Sequence, residues 1–294
     1  VSGIDSGTLY RVPEGNPARL VGELHSRRAA AYPEVMSAKP LLRQNSELRR
    51  DRIWNFSLPA WVHHFPDGRS VNVCPEAGAC VKLCYARNGT YRFPNVLAAH
   101  QRNLLLAMDT PDLFLREILT ELDHKRFKPT GVRREVAGLD STDHLHPWVR
   151  TLLEIGAAVV RIHDSGDFFS EAYIAVWMEI ARQRPDILFY AYTKSVTMFR
   201  KASLPSNLLI CYSLGGKQDH LLDLERDRHA DVFPTKEALE EAGYFDQEAN
   251  DLLCVLAPSH KVGIVSNNIP HFRKRQGDRT FGQIELEQVR HSRR

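Results

Sequence analysis

Three cysteines, Cys74, Cys80 and Cys84, fall within eleven residues of a 294-residue chain, and they are the densest chemistry it carries. They stand in Cys74-Pro-Glu-Ala-Gly-Ala-Cys80-Val-Lys-Leu-Cys84, a C-x5-C-x3-C spacing. Thiolates are soft ligands that select zinc, copper(I) or iron–sulfur clusters over oxygen-seeking cations. Three of them with no fourth close by disfavour structural zinc, whose tetrahedron is usually closed by two paired ligand motifs. A four-iron, four-sulfur (4Fe–4S) cluster tolerates wider and unequal spacing and commonly leaves one iron open. Gly78 lets the loop turn tightly, and successive backbone N–H groups can donate to cluster sulfurs. The competing readings are structural zinc and buried structural thiols, cysteine being among the most buried residue types. Cys211, near the end of a strand-like run, is the candidate fourth ligand. Cys254 lies inside another run, and a core role competes for both.

A second group of polar residues stands where apolar runs stop. The run Ala158–His163 leads into His163-Asp164-Ser165-Gly166-Asp167, the run Ile187–Thr193 into Tyr192-Thr193-Lys194, and the run Leu208–Ser213 into Gly215-Gly216. Ligands of α/β proteins bind at the carboxyl ends of strands, so these exits are expected to line one mouth. His163, Asp164 and Asp167 are read as groups that move protons or hydrogen-bond a polar ligand, with Tyr192 beside them. Lys194 is read as a partner for a carboxylate or phosphate. Gly166 permits close backbone approach, and the Gly215-Gly216 pair suits an anion. The competing reading for Asp167 is a helix cap, and for Lys194 a solvated helix start.

The elements that would position these groups follow from periodicity. Trp54–Trp61 alternates as a strand, held to an edge or end by Pro59. Pro94 opens a helix that stops at Asp109-Thr-Pro111, and a second runs from Asp112 to Lys125. Ser170 caps a helix over 171–184, and Thr235 caps another reaching Ala242. Further strands are expected at Thr8–Val12, Leu252–Leu256 and Val262–Val265. The polar stretch to Pro147 carries a His-rich turn, Asp143-His-Leu-His146, and Asp223–Asp231 is a charge run. Strands separated by helices predict an α/β fold with a parallel sheet, a partial or complete (β/α) barrel. The expected organisation is an N-terminal arm or peripheral layer over 1–50, a cysteine-bearing barrel domain over 51–272, and a basic C-terminal tail over 273–294.

The bulk numbers bound the class. With 43% hydrophobic and 26% charged residues the composition is that of an ordinary globular protein. A net charge of +3 is too small to declare a nucleic-acid binder, so any basic footprint must be local. No run of about 18 apolar residues exists, which predicts no membrane partner, and residues 1–15 do not read as a secretory signal. Five cysteines, an odd number with three clustered, argue against a disulfide framework and for a reducing, cytoplasmic compartment.

From Asn55 to Pro270 the chain resembles the gene-product-eighty-eight family of actinobacterial phages and plasmids. The likeness rests on Asn55-Phe-Ser-Leu-Pro59, the Cys74–Ala86 loop, Tyr91-Arg-Phe-Pro-Asn95, Arg161–Ser170, Tyr190–Ser195 and Tyr212–Gly216. A more distant likeness is to radical S-adenosylmethionine enzymes, which place three cysteines after the first strand of a partial βα barrel. Their usual spacing is C-x3-C-x2-C, and here Tyr85 follows the last cysteine where their aromatic residue precedes it. That resemblance implies S-adenosylmethionine as a second cofactor, with Asp167 or Ser165 near its amino group and Gly215-Gly216 near its carboxylate or ribose. Two functions are therefore expected. One is a cluster-dependent, radical-type enzyme acting on a small-molecule or nucleotide-like ligand. The other is a phage accessory protein whose cluster is structural, binding nucleic acid or a host protein through Arg27–Arg52 and Arg273–Arg275.

Overall fold

The computed structural model describes residues 39–129 and 146–292. The expected strand at Thr8–Val12, most of the Asp143–His146 turn and Arg293-Arg294 lie outside the described residues. Seven strands form one parallel sheet: β1 (Ile53–Phe56), β4 (Val159–Ile162), β5 (Leu188–Thr193), β6 (Leu208–Ser213), β7 (His229–Phe233), β8 (Phe245–Asp246) and β9 (Lys261–Val265). Their spatial order is β1-β4-β5-β6-β7-β9-β8, and every pair is parallel. Among the described residues no strand pairing joins β1 to β8, and a closed barrel is not shown. A separate hairpin, β2 (Val62–His64) with β3 (Ser70–Asn72), leads the chain from β1 into the cysteine segment.

Alternation along the strands gives the sheet two faces. On one face Phe56 meets Phe114 of the helix Pro111–Leu122 at 5.2 Å and Trp177 of the helix Glu171–Gln183 at 5.3 Å between ring centroids. These aromatic contacts seat two amphipathic helices over β1 and β4. On the other face Ile53, Val159, Leu188, Tyr190 and Cys211 pack with Val149 and Leu152 and with Leu252, Cys254 and Val255. Val149 and Leu152 belong to the helix Pro147–Ile155, which His146 caps through Trp148 N.

Local signals set most boundaries. Pro94 and Pro111 sit at the first helical positions of Pro94–Asp109 and Pro111–Leu122, where a missing N–H costs nothing. Ser170 accepts from Tyr173 N and Thr235 from Ala238 N, so both caps form. Four expectations need correction. Leu252–Leu256 is not a strand: Leu253–Leu256 is a buried helical turn under the second face. A short apolar run cannot be assigned by periodicity alone, and here burial on all sides accounts for it. The charge run Asp223–Asp231 hides β7, whose Asp231 faces inward against Val232 N and Gly282 N. Residues 39–50, expected within an N-terminal arm, belong to the same compact unit as the sheet, Lys39–Arg294. Leu41, Leu42 and Leu48 are buried, and Arg43 pairs antiparallel with Asn55. The expected tail is also ordered: Pro270–Gln276 and Phe281–Ser292 are helices, with Phe272 and Ile284 packed on Ala79 and Leu83.

Candidate functional site

The cysteine segment is hydrogen-bonded to the chain just beyond the carboxyl ends of β4 and β6. Val73 O accepts from Asp167 N after β4, at 3.0 Å. Gly215 O, after β6, accepts from both Gly78 N and Cys80 N at 3.2 Å, and Glu76 O accepts from Lys217 N at 2.8 Å. Cys80 opens a four-residue helix, Cys80–Leu83, and Cys84 leaves it with extended backbone. Two glycines are required by close approach rather than by turn geometry. A Cβ on Gly78 would lie 2.0 Å from Glu285 Oε2, and one on Gly216 would lie 2.9 Å from Lys194 Cβ.

The three thiols are free and partly buried. Burial pushes the Cys74 thiol well up, and Asp167, Cys80 and Cys84 add to that. Burial also pushes Cys84 up to about 12, reinforced by Cys80 and opposed by Arg87 and Lys194. The other two loop cysteines thus add to the shift at Cys74, and Cys80 adds to the shift at Cys84. Among the described residues, no three His, Cys, Asp or Glu side chains stand close enough to hold a single metal ion.

With this geometry in hand, the comparisons with known proteins fall into place. Residues 36–289 match the family model described as Gene product 88. The chain belongs to the Gene product 88 family. Two curated relatives are the Gene 88 proteins of Mycobacterium phage L5 and Mycobacterium phage D29. The first is 29% identical over 135 residues, 45% of this chain and 46% of the relative. The second is 28% identical over 153 residues, 50% of this chain and 54% of the relative. The chain thus spans about half the length of the curated relatives it matches. No solved structure matches it. The match identifies a phage family and lends no support to the radical S-adenosylmethionine likeness.

In this Gene product 88 chain the polar strand exits are spent mostly on the protein itself. Lys194 Nζ donates to Ser213 O at 2.7 Å, Ser213 Oγ at 2.9 Å and Leu214 O at 2.7 Å, which uses all three of its protons. Asp167 accepts from Thr193 Oγ1, Phe168 N and Lys194 N. Burial raises its pKa while those donors oppose the shift. The Gly215-Gly216 pair does cradle an anion, and the anion is Asp219, which accepts from both N–H groups at 2.7 and 3.0 Å. Burial holds Asp219 up to about 6 against those donors and Lys194. Ser165 donates its hydroxyl to Leu58 O, and Gly166, at φ +89°, faces Leu58 rather than open space.

His163 is placed elsewhere. Its φ of 68° turns the side chain among Phe56, Phe168 and Tyr173, and it pairs with the Tyr173 hydroxyl at 2.9 Å. Burial lowers its pKa to about 3. The ring lies in the aromatic core, with the Tyr173 hydroxyl as its hydrogen-bond partner. Cys211 is likewise a core residue. Its electrostatic neighbours are Arg228, Asp251 and Lys194.

Asp164 and Tyr192 do come together, around a residue that sequence reasoning missed. Arg161 Nη1 lies 3.2 Å from Asp251 and 3.7 Å from Asp164, and its guanidinium sits 5.0 Å from the Tyr192 ring centroid. Tyr192 Oη pairs with Gln247 and Asp251, and Tyr190 with Asp251. Asp164 also receives hydrogen bonds from Tyr91 Oη and, at its carbonyl, from Tyr85 Oη. Tyr85 follows Cys84 directly, so this buried group abuts the cysteine segment. Arg161 Nε and Asn55 Oδ1 are buried without a hydrogen-bond partner, on neighbouring strands in register. Arg161 was visible as the one cation inside an apolar run, a signal that marks a buried charge in need of partners.

Proposed function

We propose that the chain is an iron–sulfur protein in which Cys74, Cys80 and Cys84 each ligate a different iron of a four-iron cluster. The carrying observation is three partly buried thiols, near enough to influence one another, on one short segment hydrogen-bonded beyond β4 and β6. Three thiolates without a fourth ligand from a second paired motif suit a polynuclear group better than structural zinc, since each takes its own iron. The donor set fits in kind, as soft thiolates are what such clusters require. Loading would displace the thiol protons that burial favours on Cys74 and Cys84. The fold reading that accompanies this is a partial (β/α) barrel.

When bound, the cluster supplies electron transfer or an open iron for a ligand. The chain's own residues contribute the surroundings. Arg161, Asp164, Tyr192 and Asp251 form a polar floor with an unpartnered donor and acceptor. That floor suits a polar small molecule, S-adenosylmethionine or a nucleotide-like ligand among the classes considered. The internal pairing of Lys194, Asp167 and Gly215-Gly216 favours a second reading, a phage accessory protein with a structural cluster that binds nucleic acid or a host protein. Anaerobic reconstitution separates these readings. Four irons and four sulfides per chain, with broad absorbance near ~400 nm, support the cluster. A low-temperature EPR change on adding S-adenosylmethionine supports an open iron, and an unchanged spectrum supports the structural role.

A further inference from the structure

A second recess lies against Cys84, on the outer side of the cysteine segment. It is a cleft of about 190 Å³ lined by Lys82, Cys84, Arg87, Asn88, Phe272 and Arg275, among others. Phe272 is a buried wall, while Lys82, Arg87 and Arg275 are exposed. Three features of these cations point to a ligand. They are held in place: Arg87 Nη1 donates to Val81 O at 2.9 Å, and Arg275 Nη1 to Lys82 O at 3.1 Å. Arg87 also stacks 4.7 Å from the Trp61 ring centroid. They are, among the described residues, without a carboxylate partner, although nearby Arg279 pairs with Glu287. Glu285, in the last helix, is turned inward onto Ala79 N. Like charges gathered in a concave site repel one another unless an anion joins them.

We propose that this cleft is a binding site for the phosphate or diphosphate group of a small molecule. Two oriented guanidinium forks and an ammonium match a multiply charged tetrahedral oxyanion better than a lone carboxylate. The volume is below the roughly 300 Å³ of a whole drug-sized pocket, so the cleft takes the charged head and leaves the rest of the ligand outside. The site stands on its own residues and does not require the cluster.

The test is calorimetric titration of the full chain with pyrophosphate, inorganic phosphate and ADP. Saturable binding with a Kd of about 1 mM or tighter is expected for pyrophosphate or ADP. Arg87→Gln and Arg275→Gln should each weaken it by about tenfold, a loss of about 1.4 kcal/mol. Arg182→Gln, on a distant helix where Arg182 pairs with Glu179, should leave it unchanged. Circular dichroism checks that each variant is folded, and Arg275→Lys, which keeps the charge, guards against a misfolded Gln variant. The proposal is overturned if no saturation is seen, or if both Gln variants bind like the parent. It is also overturned if only oligonucleotides bind, with a steep salt dependence, since that marks a nucleic-acid surface instead.

Discussion

Glu285, in the last helix, accepts a hydrogen bond from the backbone N–H of Ala79, one residue ahead of Cys80. The carboxylate sits where any side chain on Gly78 would have to go. A residue more than two hundred positions away therefore closes the N-terminal end of the short helix that carries Cys80. Gly78→Ala should destabilise the fold by forcing Glu285 out. Glu285→Ala should cost about 1–3 kcal/mol by leaving a buried N–H unpaired. The double variant Gly78→Ala/Glu285→Ala should be less impaired than the sum of the two, because the clash is gone. Urea denaturation of all four proteins measures that coupling, and strict additivity would contradict the contact.

Lys194 should prove structural. Its ammonium satisfies three buried oxygens and sits among carboxylates at Asp219 and Asp231. Lys194→Met keeps the length and removes the charge, leaving those acceptors unpaired, and about 2–4 kcal/mol should be lost. Denaturant midpoints check it. A variant as stable as the parent, yet unable to bind a ligand, would return Lys194 to a binding role.

Much of this was legible in the sequence, for identifiable reasons. Pro94, Pro111, Ser170 and Thr235 are local signals, and each marks the element boundary it should. The strand exits at Asp167 and Gly215 are hydrogen-bonded to the cysteine segment. What the sequence hid is who partners whom. Gly215-Gly216 reads as an anion site and is one, but Asp219, three residues on, fills it. His163 reads as chemistry because it follows a strand, while its positive φ, invisible in a sequence, turns it into the aromatic core. The C-terminal helices were obscured by basic residues, although Phe272 and Ile284 carried the packing signal.

Acid should weaken the fold from near neutrality downward. His163 is held to about 3 and His100 to about 4, both by burial, against an unfolded value near 6.5. Depressed folded values mean that the unfolded chain binds the extra protons. Their contribution is complete above about pH 6.5 and is lost as pH falls toward the folded values. Each buried neutral histidine adds a slope of up to about 1.4 kcal/mol per pH unit in that window. His163→Asn tolerates the positive φ and does not titrate, so it should flatten the fall between pH 6 and pH 4 measured by denaturant unfolding. An unchanged slope would show that His163 is protonated in the folded chain.

The two remaining cysteines offer an internal control. Cys211 and Cys254 lie in the apolar cluster beneath the sheet, away from the loop thiols. Cys211→Ala and Cys254→Ala should each cost about 1 kcal/mol from the small cavity, with no effect on metal content. Iron analysis of both variants checks this, and a loss of iron specific to Cys211→Ala would restore it as a ligand.

The measurement that bears most directly on the loop of Cys74, Cys80 and Cys84 is iron and acid-labile sulfide content after anaerobic reconstitution, in the parent and in each single Cys→Ser variant. The expected result is about four irons and four sulfides per chain in the parent, consistent with a thiolate-ligated four-iron cluster, with loss of both in all three loop variants. A folded parent that takes up no iron and sulfide, or binds a single zinc ion instead, would contradict it.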